Sequence, residues 1–412
     1  MLMEKFKRVY LDHAATTPVD PRVLQKMLPY FTEIYGNANS QHTFGQATEV
    51  VVDEARRKVA DIFGVKPNEI YFTSGGTEAD NLAIKGLGKS NKGRTEVIVS
   101  SIEHAAIMNA AKQLEDQGIS VIYLPVDEVG MVKPEALEAV ISDKTALVSV
   151  MLANNEMGTI QPIKELAAIA KKNGALFHTD AVQAVGSIPV SPKELGVDMM
   201  TVTAHKFYGP KGIGMLYIRN GIRLENKLIS GGFQERTIRG GTTNVPLVVG
   251  FAEALEIAIN EMPVNSKRIQ ELRDYFMQQI EANVPHVLLN GHRTIRLPQN
   301  ANYTFEFIEG EGLLFTLDLD GIACSSGSAC SSGSLEPSHV MLAMGFTHER
   351  AHGSIRFSLG RSTTKEDLDY AVQVIKSSCE RMRKLSPLYA QFTSGREVDS
   401  KTNEGGGKRI VK

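Results

Sequence analysis

Lys206 is the residue of this chain whose setting most invites chemistry. It closes the run Met199-Met200-Thr201-Val202-Thr203-Ala204-His205-Lys206, and Phe207-Tyr208-Gly209-Pro210-Lys211-Gly212 separates it from Ile213-Gly214-Met215-Leu216-Tyr217-Ile218. Two short apolar, β-branched runs around a Gly/Pro turn predict strand, loop, strand, with the lysine where the first strand ends. Partial burial at such a place lowers the pKa of an amine and leaves it free to attack a carbonyl, so Lys206 is a candidate Schiff-base lysine. A solvated strand-end lysine is the plainer alternative, and only context separates the two.

The context lies upstream. Ala175-Leu176-Phe177-His178-Thr179-Asp180 predicts another short strand that ends on a carboxylate, followed by Ala181-Val182-Gln183. Pyridoxal phosphate requires a lysine for its aldehyde and an anion beside its pyridine nitrogen, which keeps the ring protonated as an electron sink. Lys206 and Asp180 at neighbouring strand ends meet both needs. Ser74-Gly75-Gly76-Thr77 reads as a phosphate cradle, where a glycine turn opens a helix and free N–H groups converge. That stretch lacks the lysine of a P-loop and the spacing of a dinucleotide fingerprint, and an ordinary capped helix is its structural alternative.

The elements around these residues alternate. Val9–Leu11 predicts a strand, and Pro21–Tyr35 and Thr48–Phe63 predict helices. Strands are then expected at Ile70–Thr73, Val97–Ser100, Ser120–Leu124 and Ala146–Met151, with helices at Pro134–Ile141 and Ile163–Lys172. Repeated β-α units predict an α/β fold with a mostly parallel sheet covered by helices on both faces. Ligands in such sheets sit outside the carboxyl ends of the strands. Thr77, His104, Asn155, Asp180 and Lys206 all fall just past a predicted strand end, which places them in one site. Arg223–Gly241 reads as loop, and Leu247–Glu261 as a helix that Pro263 interrupts before a second helix at Ser266–Asn283. The expected division is therefore a large unit of residues 15–262 and a smaller α+β unit of residues 1–14 and 263–390. A flexible tail is expected at 391–412, polar and glycine-rich.

The chain has 412 residues, 42% of them hydrophobic, enough for two cored units. Lys+Arg 45 against Asp+Glu 47 gives a net charge of −2, which points to neither a nucleic-acid nor a membrane surface. Met1 to Arg8 carries no apolar signal core, no run reaches membrane-spanning length, and three cysteines are too few for a disulfide framework. A reduced, cytoplasmic setting is expected, with its thiols available for chemistry.

Two of the cysteines lie in Ile322-Ala323-Cys324-Ser325-Ser326-Gly327-Ser328-Ala329-Cys330-Ser331-Ser332-Gly333-Ser334, a stretch of almost only small residues. A cysteine there could reach a substrate and swing outward, or could be incidental to a flexible loop. Ser326–Cys330 followed by Ser334-Leu335-Glu336-Pro337-Ser338-His339-Val340 resembles the loop of cysteine desulfurases of the NifS/IscS type. These are class-V, fold type I pyridoxal-phosphate enzymes of the aspartate-aminotransferase-like kind. Matching segments run from Tyr10–Pro21 through Phe72–Gly86, Ile102–His104, Asn154–Gly158, His178–Gln183 and Thr203–Gly214 to Ile355–Arg361.

The resemblance implies a homodimer that takes sulfur from L-cysteine, leaves L-alanine, and passes sulfur to an iron–sulfur scaffold or another acceptor. It implies that Cys330 is the nucleophile, Lys206 holds pyridoxal 5'-phosphate, Asp180 pairs with the pyridine nitrogen, and Gln183 bonds the ring hydroxyl. His104 would stack on the ring and relay protons. Gly76, Thr77, Thr203 and His205 would hold the phosphate, and Thr242 would reach the phosphate of a partner subunit. Asn155 and Arg356 would orient the substrate, the arginine by its carboxylate. Selenocysteine lyase needs the same cofactor, and a non-catalytic sulfur-trafficking platform is the alternative outside enzymes. Three features depart from the family: Cys324 stands where a non-thiol is usual, Asn39 where a proline is usual, and the tail after Tyr389 matches no family pattern. His348-Glu349-Arg350-Ala351-His352 fits the H-E-x-x-H zinc pattern, but neighbouring Gly345, Thr347 and Gly353 oppose a long helix and no metal site is expected. Cys379, one helical turn after Ile375, is expected in the core.

Overall fold

A computed structural model describes residues 7–87, 93–326 and 337–394 of the chain. In chain order the strands are β1 (Val9–Tyr10), β2 (Ile70–Thr73), β3 (Glu96–Ser100), β4 (Ser120–Leu124), β5 (Thr145–Ser149), β6 (Leu176–Asp180), β7 (Met199–Thr203) and β8 (Gly214–Ile218). β9 (Val287–Leu289), β10 (Asn300–Phe305), β11 (Ile322–Ala323), β12 (Ser325–Ser326) and β13 (Ser354–Ser358) follow. Seven of them form one sheet in the order β2-β8-β7-β6-β5-β3-β4. Its pairings are parallel from β7 across to β4, and β8 alone runs against its neighbours β2 and β7. β2, β3, β5, β6 and β7 therefore end on the same edge, where the predicted site residues lie.

Side chains alternate across this sheet as strand geometry requires. Val97 and Val99 of β3 pack with the Gly76–Lys85 and Ala105–Asp116 helices. Ile98 faces the other side, where the Thr43–Phe63 and Ile163–Lys172 helices and the first half of a long helix form the larger core. Burial on both faces explains why these strands read as continuous apolar runs. The smaller sheet, β12-β13-β10-β9, is antiparallel. It shares a core with Val9 and Leu11 from the N-terminal segment and with Phe276 and Ile280 from the second half of the long helix. Cys379 is fully buried in that core, and its thiol is pushed up to about 12 by burial.

Several expected boundaries are corrected. Pro263 does not end a helix: Val245–Asn283 is one helix of 39 residues, about 58 Å long. Proline inside a helix costs about 3 kcal/mol for the lost N–H bond and the ring clash. Here each half of the helix is buried in a different core, so packing offsets that cost. The Pro21–Tyr35 helix divides into Pro21–Met27 and Pro29–Thr32, because Pro29 has no N–H to continue the first. The helix expected from Thr48 starts at Thr43, where His42 Nδ1 accepts from Gly45 N. The tail expected from 391 begins inside a helix, Pro387–Thr393, which Ser386 caps. His348–His352 is a five-residue helix with both histidines exposed. Cys330 and residues 395–412 lie outside the described residues.

Candidate active site

The loop between β7 and β8 carries Lys206 on a turn of 3-10 helix, Ala204–Lys206. Tyr208 follows with φ of 66°, a left-handed conformation that a bulky residue adopts only when its surroundings hold it there. The N-terminal segment supplies that support. Thr17 N and Oγ1 donate to His205 O, Thr17 Oγ1 accepts from Tyr208 N, and Asp20 N donates to Tyr208 O. Arg361 stacks its guanidinium on the Tyr208 ring at 4.3 Å. Lys206 Nζ donates to Ala14 O at 2.5 Å and Ala15 O at 2.8 Å. Gln183 Nε2 donates to the same Ala14 carbonyl at 3.1 Å, which brings the lysine and the glutamine together.

Asp180 ends β6, and Oδ1 accepts from Val182 N at 2.8 Å. Burial pushes its carboxyl up to about 6, against the bond from Val182 and the charge of Lys206. A buried carboxylate that is costly to ionise suits a cationic ring N–H as its partner. His104 caps the Ala105–Asp116 helix, its Nδ1 accepting from Ala106 N at 3.2 Å. Burial, with the charges of Lys206 and His339, lowers its pKa to about 4. The imidazole is therefore neutral near pH 7, and because Nδ1 accepts, the proton is on Nε2.

The Gly76–Lys85 helix begins at Gly75 with no side-chain cap, so its first N–H groups and dipole are available to an anion. Glu78 in that first turn would repel an anion, but its carboxylate accepts from Ser74 N and pairs with Arg239 Nε at 2.9 Å. A Cβ on Gly214 would meet Gly75 C at 2.6 Å, so only glycine lets β8 pass this close. A Cβ on Gly76 would meet Thr203 Cβ at 3.7 Å, which sets the turn against the end of β7. Thr203 Oγ1 donates to Ile213 O, and His205 Nδ1 lies 3.2 Å from Thr16 Oγ1. Burial and the charges of Lys206 and Lys211 lower the His205 pKa to about 4.

Arg356 on β13 is 4% exposed. Its Nη2 donates to Asp12 Oδ1 at 2.9 Å and its Nη1 to Asn155 O at 3.0 Å. The second position expected to orient substrate, Asn155, thus meets the arginine through its backbone. Thr242 is exposed on the loop before the long helix, and among the described residues it makes no hydrogen bond to the other site residues. Cys324 packs against the smaller core near Asp12 and Arg356, and burial holds its thiol well above the usual thiol range.

Four carboxyl groups at the site were given no role from the sequence, although each lies in a segment that resembles the family: Asp12, Asp80, Glu103 and Glu156. Asp80 is buried, its Oδ1 without a hydrogen bond and 3.9 Å from His178 Nε2, and burial and the Asp180 charge raise it well above the usual range. Burial raises Glu103 to about 8, and Glu156 to about 7. Glu156 Oε2 accepts from Ser338 Oγ at 2.6 Å. Asp12 is met by Arg356, far away in sequence, and Glu103 by nearby Ser100 and distant Met151.

A lysine, a buried acid, a neutral histidine and an uncapped helix N-terminus meet at the carboxyl edge of a mostly parallel sheet. That arrangement fits pyridoxal phosphate and defines a fold type I enzyme of that cofactor. The aminotransferase class-V family model matches residues 9–371, and the chain belongs to that family. Over 394 residues the chain is 48% identical to a cysteine desulfurase IscS of Clostridium botulinum, covering 95% of this chain and 99% of that one. A cysteine desulfurase IscS of Dictyoglomus turgidum is 50% identical over 388 residues, 94% of this chain and 98% of its own. Among solved structures, a NifS-like protein superposes with a TM-score of 0.85 at 40% identity, covering 91% of this chain and all of that one. Within the family the chain is a pyridoxal-phosphate-dependent cysteine desulfurase of the NifS/IscS type.

Proposed function

We propose that the chain transfers sulfur from L-cysteine to its own Cys330, releasing L-alanine. The observation that carries this is the convergence of Lys206, Asp180 and His104 on one sheet edge, with the buried guanidinium of Arg356 at the base of the cysteine-bearing segment. Bound pyridoxal phosphate supplies electron withdrawal from the substrate Cα. Lys206 would hold the cofactor aldehyde, Asp180 its ring nitrogen and Gln183 its ring hydroxyl. The N–H groups of Gly76 and Thr77, with Thr77, Thr203 and His205, would hold its phosphate. His104, its imidazole kept neutral because burial resists protonation, would present Nε2–H as the proton donor to the cofactor. Arg356 takes the substrate carboxylate, and Asn155 fixes the arginine through its carbonyl.

The net exchange balances without an added oxidant. The substrate C–S bond breaks, an S–S bond forms on Cys330, and a proton replaces sulfur on the substrate Cβ. Cys330 then carries a persulfide for an iron–sulfur scaffold or another acceptor. Residues 15–262 act as the cofactor unit, and residues 1–14 with 263–390 as the smaller unit that carries the cysteine segment.

The chain acts as a homodimer in the cytoplasm. The segment before Thr242 supports a preformed contact surface. Glu235, Arg236 and Thr237 all have positive φ, the Arg56–Glu235 ion pair at 2.7 Å holds them, and Phe233 is 89% exposed. The test of the reaction is Cys330→Ser in the cofactor-loaded protein. The variant should keep the cofactor's visible absorbance and its change on adding L-cysteine, but release almost no alanine. Turnover at the wild-type rate would remove Cys330 from the reaction.

A further inference from the structure

The substrate clamp already holds a carboxylate from its own chain. Arg356 is buried, and its fork offers a carboxylate two edges, both of which include Nη2. Nη1 is held by Asn155 O, which leaves the edge formed by Nε and Nη2. Nε is buried with no hydrogen-bond partner, and Nη2 donates to Asp12 Oδ1 at 2.9 Å. A fork with one buried N–H unmatched and the adjacent one held by a side-chain oxygen is half-prepared for a bidentate anion.

Asp12 is fixed where it is by the backbone. β1 pairs in parallel with β11, and Asp12 itself forms a bridge with Ser358, two residues beyond Arg356. Its side chain is 18% exposed and that of Arg356 is 5% exposed, so the carboxylate lies at the wet margin and can turn outward while the guanidinium cannot. Glu156 also acts electrostatically on Arg356, but burial raises that acid to about 7 and its Oε2 is engaged by Ser338. Asp12 is thus the acid that forms an ion pair with the clamp.

We propose that Asp12 is an internal competitor for the substrate carboxylate. It keeps the buried Arg356 charge paired and oriented before substrate arrives, then yields Nη2 to the incoming α-carboxylate. It lowers substrate affinity to do so, and it acts only on ligands that bring a carboxylate. The proposal rests on the reading of Arg356 as the carboxylate clamp.

The experiment uses cofactor-loaded full-length protein and two reversible ligands, L-alanine and ethylamine, which share an amine and differ in the carboxylate. Binding is read from the visible absorbance of the bound cofactor. Asp12→Asn should bind L-alanine about tenfold more tightly, the scale of one charged hydrogen bond. Ethylamine affinity should not change, and KM for L-cysteine should fall without a rise in kcat. Asp12→Ser should move the same way, and serves if the asparagine variant folds poorly. Unchanged or weaker L-alanine binding, or equal tightening of both ligands, overturns the proposal. Arg356→Gln separates the premise: if it leaves L-alanine binding intact, the clamp reading fails and the proposal with it.

Discussion

Glu103→Gln tests whether a carboxyl beside the cofactor site is held neutral. Glu103 Oε1 accepts from Ser100 Oγ at 2.5 Å and from Met151 N at 2.7 Å, while Oε2 is buried without a partner. Burial first, and Asp180 repulsion after it, push the carboxyl up to about 8. At about 1.4 kcal/mol per tenfold in proton affinity, ionised Glu103 costs the fold up to about 5 kcal/mol, less whatever local relaxation returns. The sign follows from proton counting. Between an unfolded pKa of about 4.3 and the folded value the native state binds more protons, so stability is full below that range and is lost as pH rises through it. Glutamine keeps the Oε1 acceptor and cannot ionise. Thermal melts of cofactor-loaded wild type and variant from pH 5 to pH 9 provide the assay. The gap between the two should be smallest at pH 5 and widen as pH rises, the variant melting higher by about 2 °C or more at pH 9. A difference that stays flat across the range, or a variant less stable at pH 9, refutes the reasoning.

Two other outcomes follow from the site. Thr242→Ala and Lys206→Ala chains, each inactive alone, should regain activity when mixed into hybrid dimers, because one site then carries both defects and the other neither; no rescue would place Thr242 in its own subunit's site. Cys324→Ser should leave alanine production near wild type, since burial holds that thiol protonated and away from nucleophilic work; a fall to background would make Cys324 the nucleophile.

The parallel sheet and its edge were legible because burial on both faces writes itself into short apolar runs. The strand at Ile70–Thr73 takes its expected limits for that reason, the half-exposed edge strand Ser120–Leu124 keeps its limits too, and the Ile163–Lys172 helix was legible from one buried stripe, Ile163, Leu166, Ala167 and Ala170. Lys206, Asp180 and His104 were legible because each directly follows or ends such a run. The continuous helix through Pro263 was not, because local propensity argues for a break and only packing against two distant cores overrides it. Asp12, Asp80 and Glu103 were silent for a related reason. An acid in a turn or on a helix looks solvated until its neighbours show that it is paired with a buried arginine, as Asp12 is, or buried where the Asp180 charge reaches it, as Asp80 and Glu103 are. Asn155 is expected to orient the substrate with Arg356, and the fold sets its carbonyl on that arginine.

Sulfur leaves L-cysteine with alanine as the carbon product. The most direct measurement follows both products from cofactor-loaded wild-type protein given L-cysteine and a thiol reductant. Alanine and sulfide should accumulate together in equal amounts, with no pyruvate. Pyruvate and ammonia in place of alanine, or no carbon product at all, would contradict it.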